Sequence, residues 1–143
     1  MRFWDASALA PLIIEEPASS MVLGWLREDA GIAIWGLTRL ELTAAVERRV
    51  RDGQLSPALR QPALRRIARL TGDAHEVTDL SAVRTRALPV LARYPLRAAD
   101  AAQLGAALLV ADPDPASLTM VVLDRRLAEA ADREGLTVLT WGD

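Results

Sequence analysis

Short, unbroken apolar runs alternate with helix-forming stretches along the whole chain, and this alternation limits the possible folds more than any other feature. The runs are Arg2 to Trp4, Ile32-Ala33-Ile34-Trp35, Thr119 to Leu123 and Thr137 to Leu139, with His75-Glu76-Val77 as a small edge strand. A strand with one wet face alternates polar and apolar residues; a continuous apolar run belongs to a strand buried on both faces. Strands of that type separated by helices predict an α/β domain, a short parallel β-sheet flanked by helices on both sides. A chain of 143 residues suits one such domain, 1–143. It contains no internal repeat, linker or low-complexity segment.

The intervening helices are expected as follows. Ser7 caps a helix through Ile14, and a second runs from Ser19 to Arg27. Thr38 opens a helix to Arg51, closed by Asp52-Gly53. Ser56-Pro57 starts one to Leu70, and Ser81 to Arg93 follows, bent at Pro89. Tyr94 to Val110 reads as an Ala/Leu helix and Arg125 to Glu134 as the last, before the tail Trp141-Gly142-Asp143.

In open parallel sheets ligands bind beyond the carboxyl ends of the strands, at the point where strand order reverses. Asp5 directly follows the first strand and Asp124 directly follows TMVVL, so both belong at that edge. In the Ala/Leu helix, Leu96, Asp100, Gln103, Leu104 and Ala107 share one side. Asp100 therefore points towards a core, where a lone carboxylate is costly unless paired or bound to a cation. Thr38-Arg39-Leu40-Glu41 matches a capping box, in which Glu41 would reach back to the cap. However, Leu37, Glu41 and Ala44 lie on one apolar face, which places Glu41 in a site. Glu15, Glu16, Asp112 and Asp114 read as solvated charges.

Composition narrows the chemistry. The chain has no Cys, a single His (His75), and 17 basic residues that are all Arg. Thiolate and multi-His metal sites are excluded, and a Ser/His/Asp triad could use only His75, which reads as structural. Receiver domains and haloacid-dehalogenase-like phosphatases need a Lys that is absent here, and no phosphate-binding glycine motif occurs. A net charge of −2 gives no overall attraction to nucleic acid. The absence of an 18-residue apolar span and of a signal-peptide pattern predicts a soluble, cytoplasmic protein with no membrane partner.

Oxygen donors alone suit Mg²⁺ or Mn²⁺. A cation held by Asp5, Glu41, Asp100 and Asp124 could activate a water and stabilise charge on a phosphate under attack, with no side-chain nucleophile. The expectation is a metal-dependent nuclease. Arg39, Arg97, Arg125 and Arg126 flank the proposed site and are candidate RNA phosphate contacts. Arg60, Arg65, Arg66 and Arg69 form a solvated helix face. Trp4 and Trp35 end strands and belong in the core, with base stacking as the alternative. Trp141 covers an edge or serves an interface.

Four motifs in order carry a family resemblance: D-A-S-A-L from Asp5, L-T-R-L-E-L from Leu37, L-R-A-A-D-A-A-Q-L-G-A-A from Leu96, and V-L-D-R-R-L-A-E-A-A-D-R-E-G-L from Val122. Together they resemble the PIN domain, in particular the single-domain VapC-type toxins of toxin–antitoxin pairs. The resemblance implies a Rossmann-like sheet, an Mg²⁺- or Mn²⁺-dependent endoribonuclease, inhibition by a cognate antitoxin, and a homodimer. Asp5, Glu41, Asp100 and Asp124 match the family's acidic quartet, and Ser7 matches the small hydroxyl residue beside the first Asp. Val122 stands where Thr or Ser is common, Gln103 where His is frequent, and Trp35 where a small residue is usual. A non-catalytic PIN-like module that binds RNA or a protein partner is the alternative.

Overall fold

The computed structural model describes residues 1–142; of the expected tail, Asp143 lies outside the described residues. Five strands form one sheet: β1 (Arg2–Trp4), β2 (Ile32–Trp35), β3 (His75–Val77), β4 (Thr119–Val121) and β5 (Thr137–Leu139). All neighbours are parallel, in the order β3-β2-β1-β4-β5. The chain builds outward from β1 through β2 to β3, then returns to place β4 on the other side of β1. The strand order therefore reverses between β1 and β4, whose register pairs Phe3 with Met120 and Trp4 with Val121.

Seven α-helices cover the sheet among the described residues: α1 (Ala6–Ile13), α2 (Ser19–Glu28), α3 (Thr38–Arg51), α4 (Pro57–Gly72), α5 (Leu80–Arg93), α6 (Ala98–Ala111) and α7 (Arg125–Arg133). Successive strand residues point to opposite faces, so each strand feeds two cores. Phe3, Ala33, Trp35 and Met120 pack with α5, α6 and α7. Trp4, Ile34 and Val121 pack with α1, α3 and α4 and with Val22 of α2. Trp4 and Trp35 are thus both buried in the core, and the base-stacking alternative falls away. The unbroken apolar runs are explained: neither face of the central strands meets water.

Local chemistry moves several expected boundaries. Asp5, not Ser7, caps α1: its carboxylate accepts the Ser7 backbone N–H at 2.9 Å. The Ala/Leu helix begins at Ala98 rather than Tyr94, because Tyr94 is already extended as it closes α5. Helix α4 continues through Thr71, whose hydroxyl donates to the Ile67 carbonyl at 2.7 Å. Strand β4 ends at Val121, two residues earlier than expected. Helix α5 runs through Pro89 as a single element that starts at Leu80, capped by Asp79.

Helices α5 and α6 pack closely because Gly105 has no side chain. A Cβ at that position would lie 2.8 Å from the Val83 carbonyl oxygen. This close approach fixes how α6 lies on the sheet, and with it the place of Asp100 and Gln103.

Candidate active site at the carboxyl edge of the sheet

Each acid is delivered by a different element. Asp5 follows β1 and anchors to β4 through its backbone N–H, which donates to the Val121 carbonyl at 3.0 Å. It is 5% exposed. Asp124 caps α7, accepting the Leu127 N–H at 2.9 Å, and is exposed. Glu41 sits in the first turn of α3 and Asp100 in the first turn of α6, both half-buried.

Ser7 ties the two central strand ends together. Its hydroxyl donates to the Asp5 carboxylate and accepts the backbone N–H groups of Leu123 at 2.9 Å and Asp124 at 3.2 Å. The side chain expected to cap α1 instead joins the end of β1 to the loop after β4.

The capping-box role of Glu41 is absent. The N-cap of α3 is Leu37, without a side-chain bond, and Thr38 is fully buried. Glu41 instead accepts the Gln103 carboxamide at 3.0 Å. Nor does Glu41 lie on the core face, which is formed by Thr38, Leu42 and Val46. Asp100 makes a long contact, 3.4 Å, with the Arg97 N–H at its own helix start. Both acids line a cleft rather than a closed core.

That cleft has a volume of about 980 Å³ and is lined by Ser7, Glu16, Glu41, Arg48, Arg49, Arg97, Asp100, Asp124, Arg125 and Arg126, with apolar groups between them. Asp5 lies beneath it. Glu41, Asp100, Asp124 and Ser7 therefore share the cleft with Arg97, Arg125 and Arg126, while Asp5 is buried behind Ser7 and does not line it. Arg39 is not: it is exposed and does not line the cleft. The sequence reading missed Arg48, Arg49 and Glu16. Arg48 follows Glu41 and Ala45 at helical spacing, a periodic signal that was legible. Glu16 is no free surface charge; it pairs with Arg49. Nothing local to Glu16 marks it.

Electrostatically the acids are crowded. Burial pushes the Asp5 carboxyl from its ordinary 3.8 to about 6, against the pull of the Ser7 hydrogen bonds and with repulsion from Asp100 and Asp124. Glu41 rises from 4.5 to about 7, mainly by burial and then by repulsion from Asp5, partly offset by the Gln103 bond. Asp100 is raised by burial and by Asp124, and held down by its own helix N–H and by Arg97 and Arg126. Among the described residues none of the four acids forms a salt bridge, although arginines share the cleft.

The donor set, carboxylate oxygens without sulfur or nitrogen, has the chemistry of a hard-cation site. Among the described residues no three Asp, Glu, His or Cys side chains stand close enough to hold an ion by themselves. The residues fit a cation bound through one or two carboxylates and otherwise by water, the mode that Mg²⁺ favours.

The chain is similar in structure to FitAcB from Neisseria gonorrhoeae: TM-score 0.66 over 97% of this chain and 96% of that one, at 18% identity. The fold is PIN-like. PAE2754 from Pyrobaculum aerophilum matches this chain with TM-score 0.65 and 23% identity, over 96% of this chain and 82% of its own. FitAB bound to an IR36 DNA fragment matches with TM-score 0.62 and 17% identity, over 98% and 94%. No protein-family model matches the chain, and no curated protein matches it significantly.

A second, smaller groove of about 670 Å³ lies beside β5 and α7, lined by Leu123, Val138 and Trp141 among others. Trp141 is exposed there. His75 is exposed on the opposite edge strand, away from both. No helix among the described residues is long and apolar enough to cross a membrane.

Proposed function

We propose that this protein is a metal-dependent endoribonuclease and the toxin of a VapBC-type toxin–antitoxin pair. The observation that carries the reading is a set of acids left without cationic partners at the reversal point of a PIN-like sheet, in a cleft that also holds arginines. Half-buried acids such as Glu41 and Asp100 that merely stabilised the fold would be expected to pair with those arginines, since a carboxylate drawn out of water costs stability unless it is paired.

Glu41, Asp100 and Asp124 line the cleft, and one or two of these carboxylates together with water would hold Mg²⁺ or Mn²⁺, while Asp5 is buried behind Ser7, whose hydroxyl fixes its orientation. The bound cation supplies an activated water and stabilises charge on the phosphate. Arg97 and Arg126 offset the acids' charge and, being exposed, can meet an RNA backbone. The motifs that resemble VapC-type toxins favour RNA as substrate and a cognate antitoxin as inhibitor. Exposed Leu80, Leu88 and Leu91 lie along one side of α5, and Leu37 and Leu40 are exposed too; apolar surface of this kind supports a homodimer, and the resemblance to VapC-type toxins favours the cytoplasm.

A second reading, a non-catalytic module that binds RNA or a protein, is favoured by one observation: the acids do not gather in threes. Cleavage of a labelled structured RNA pool by antitoxin-free protein separates the two. The nuclease reading expects cleavage in Mn²⁺ or Mg²⁺ that EDTA abolishes and that Asp100→Asn reduces by about a hundredfold or more, the scale set by losing one charge-stabilising group. Undiminished cleavage by Asp100→Asn would exclude this site. No cleavage, with no rise in melting temperature on adding Mn²⁺, would favour the binding module.

A further inference from the structure

Gln103 is 1% exposed, on the inner side of α6. Its Nε2 donates to Glu41 Oε1 at 3.0 Å and to Thr38 Oγ1 at 3.2 Å, linking α6 to the first turn of α3. Its Oε1 is buried without a partner. Turning the amide round would put its N–H groups in that unpartnered place and set Oε1 against the ionised Glu41 carboxylate. A buried acceptor without a partner costs about 1–3 kcal/mol, whereas an apolar side chain of similar length would fill the same space beside Leu104 at no such cost. What the amide gives to folding is a single bond to the buried Thr38 hydroxyl, set against its own unpartnered oxygen. The amide N–H meets a specific need, since Glu41 has no other side-chain hydrogen bond and no salt bridge among the described residues.

We propose that Gln103 is a positioning residue whose carboxamide fixes the Glu41 side chain in the orientation that presents its free oxygen to a divalent cation in the cleft. This rests on the metal-site reading above. Groups that orient a ligand in this way typically change metal affinity about 10–100-fold when removed. Thr38 shares the amide but does not itself line the cleft, so it serves as the control for packing.

The test is calorimetric titration of Mn²⁺ into the full chain, with melting temperature in EDTA measured alongside. Gln103→Met keeps the length and removes the donor; it is expected to weaken Mn²⁺ binding about tenfold or more while the melting temperature in EDTA changes no more than through loss of the bond to the buried Thr38 hydroxyl. Thr38→Val is expected to bind as the wild type does. Gln103→His, which keeps an N–H at similar reach, is expected to retain affinity. Wild-type affinity in Gln103→Met overturns the positioning role and leaves the metal site standing. A wild type that binds no Mn²⁺ overturns both. Should Gln103→Met not fold, Gln103→His decides: retained affinity supports the role, and a tenfold loss overturns it.

Discussion

The Ser7 hydroxyl accepts the backbone N–H of Asp124 at 3.2 Å, across 117 positions of sequence. With the Leu123 N–H and the Asp5 carboxylate it completes a four-way junction at the reversal point of the sheet. Removing it leaves two backbone donors and one carboxylate short of a partner. Ser7→Ala is therefore expected to cost about 1–2 kcal/mol, the scale for a half-buried hydroxyl whose freed partners water reaches in part. Urea denaturation measures it; a loss below roughly 0.5 kcal/mol, the ordinary range of surface substitutions, would contradict the junction.

Folded Asp5 and Glu41 titrate near 6 and 7, above their ordinary 3.8 and 4.5. Between about pH 4 and pH 7 the folded chain consequently binds more protons than the unfolded one, and stability falls as pH rises through that window. In EDTA the melting temperature should be higher at pH 5.5 than at pH 8. Divalent cations bind the deprotonated carboxylates and reverse the trend, so the stabilisation by Mn²⁺ should grow with pH. Scanning fluorimetry at several pH values, with EDTA or with Mn²⁺, reads both slopes. A metal-free protein that is more stable at pH 8 would refute the assignment.

Gly105 lets α6 approach α5. Gly105→Ala places a methyl 2.8 Å from the Val83 carbonyl and 3.1 Å from Ala87, which neither backbone can accommodate without moving. The expected loss is about 1–3 kcal/mol, typical of overpacking, despite the better helix propensity of Ala. Asp100 and Gln103 move with the helix, so Mn²⁺ affinity should fall too. Equal or greater stability of the alanine variant would show that the helices can separate freely.

Arg48 is exposed, lines the cleft and forms no salt bridge among the described residues. If it meets a phosphate, Arg48→Ala should weaken binding of a single-stranded RNA and lower the salt dependence, log K against log salt, by about 0.7. Arg39→Ala, outside the cleft, should leave both unchanged. Fluorescence anisotropy across a salt series distinguishes them, and equal slopes for Arg48→Ala and wild type would remove Arg48 from the path.

The parallel sheet was legible in the sequence because burial on both faces leaves a composition signal: strands without polar alternation, such as Ile32–Trp35. The place of Asp5 was legible too, since it directly follows β1, whereas Asp124 lies three residues beyond the end of β4, as the N-cap of α7. Local propensity also placed α3, from Thr38 to Arg51, as found. What the sequence could not decide was which partner each polar group takes. Thr38 and Glu41 satisfy a capping-box pattern, but Gln103, 62 residues away, takes Glu41 instead. Ser7 could cap a helix, yet it spans two strand ends. Glu16 looks like a solvated loop charge until the fold brings Arg49 to it. The physical reason is the same each time. Backbone propensity and apolar patterning act over a few residues and are written locally, whereas a hydrogen bond or an ion pair goes to whichever group the packed helices bring within about 3 Å, and only the closed fold determines that distance.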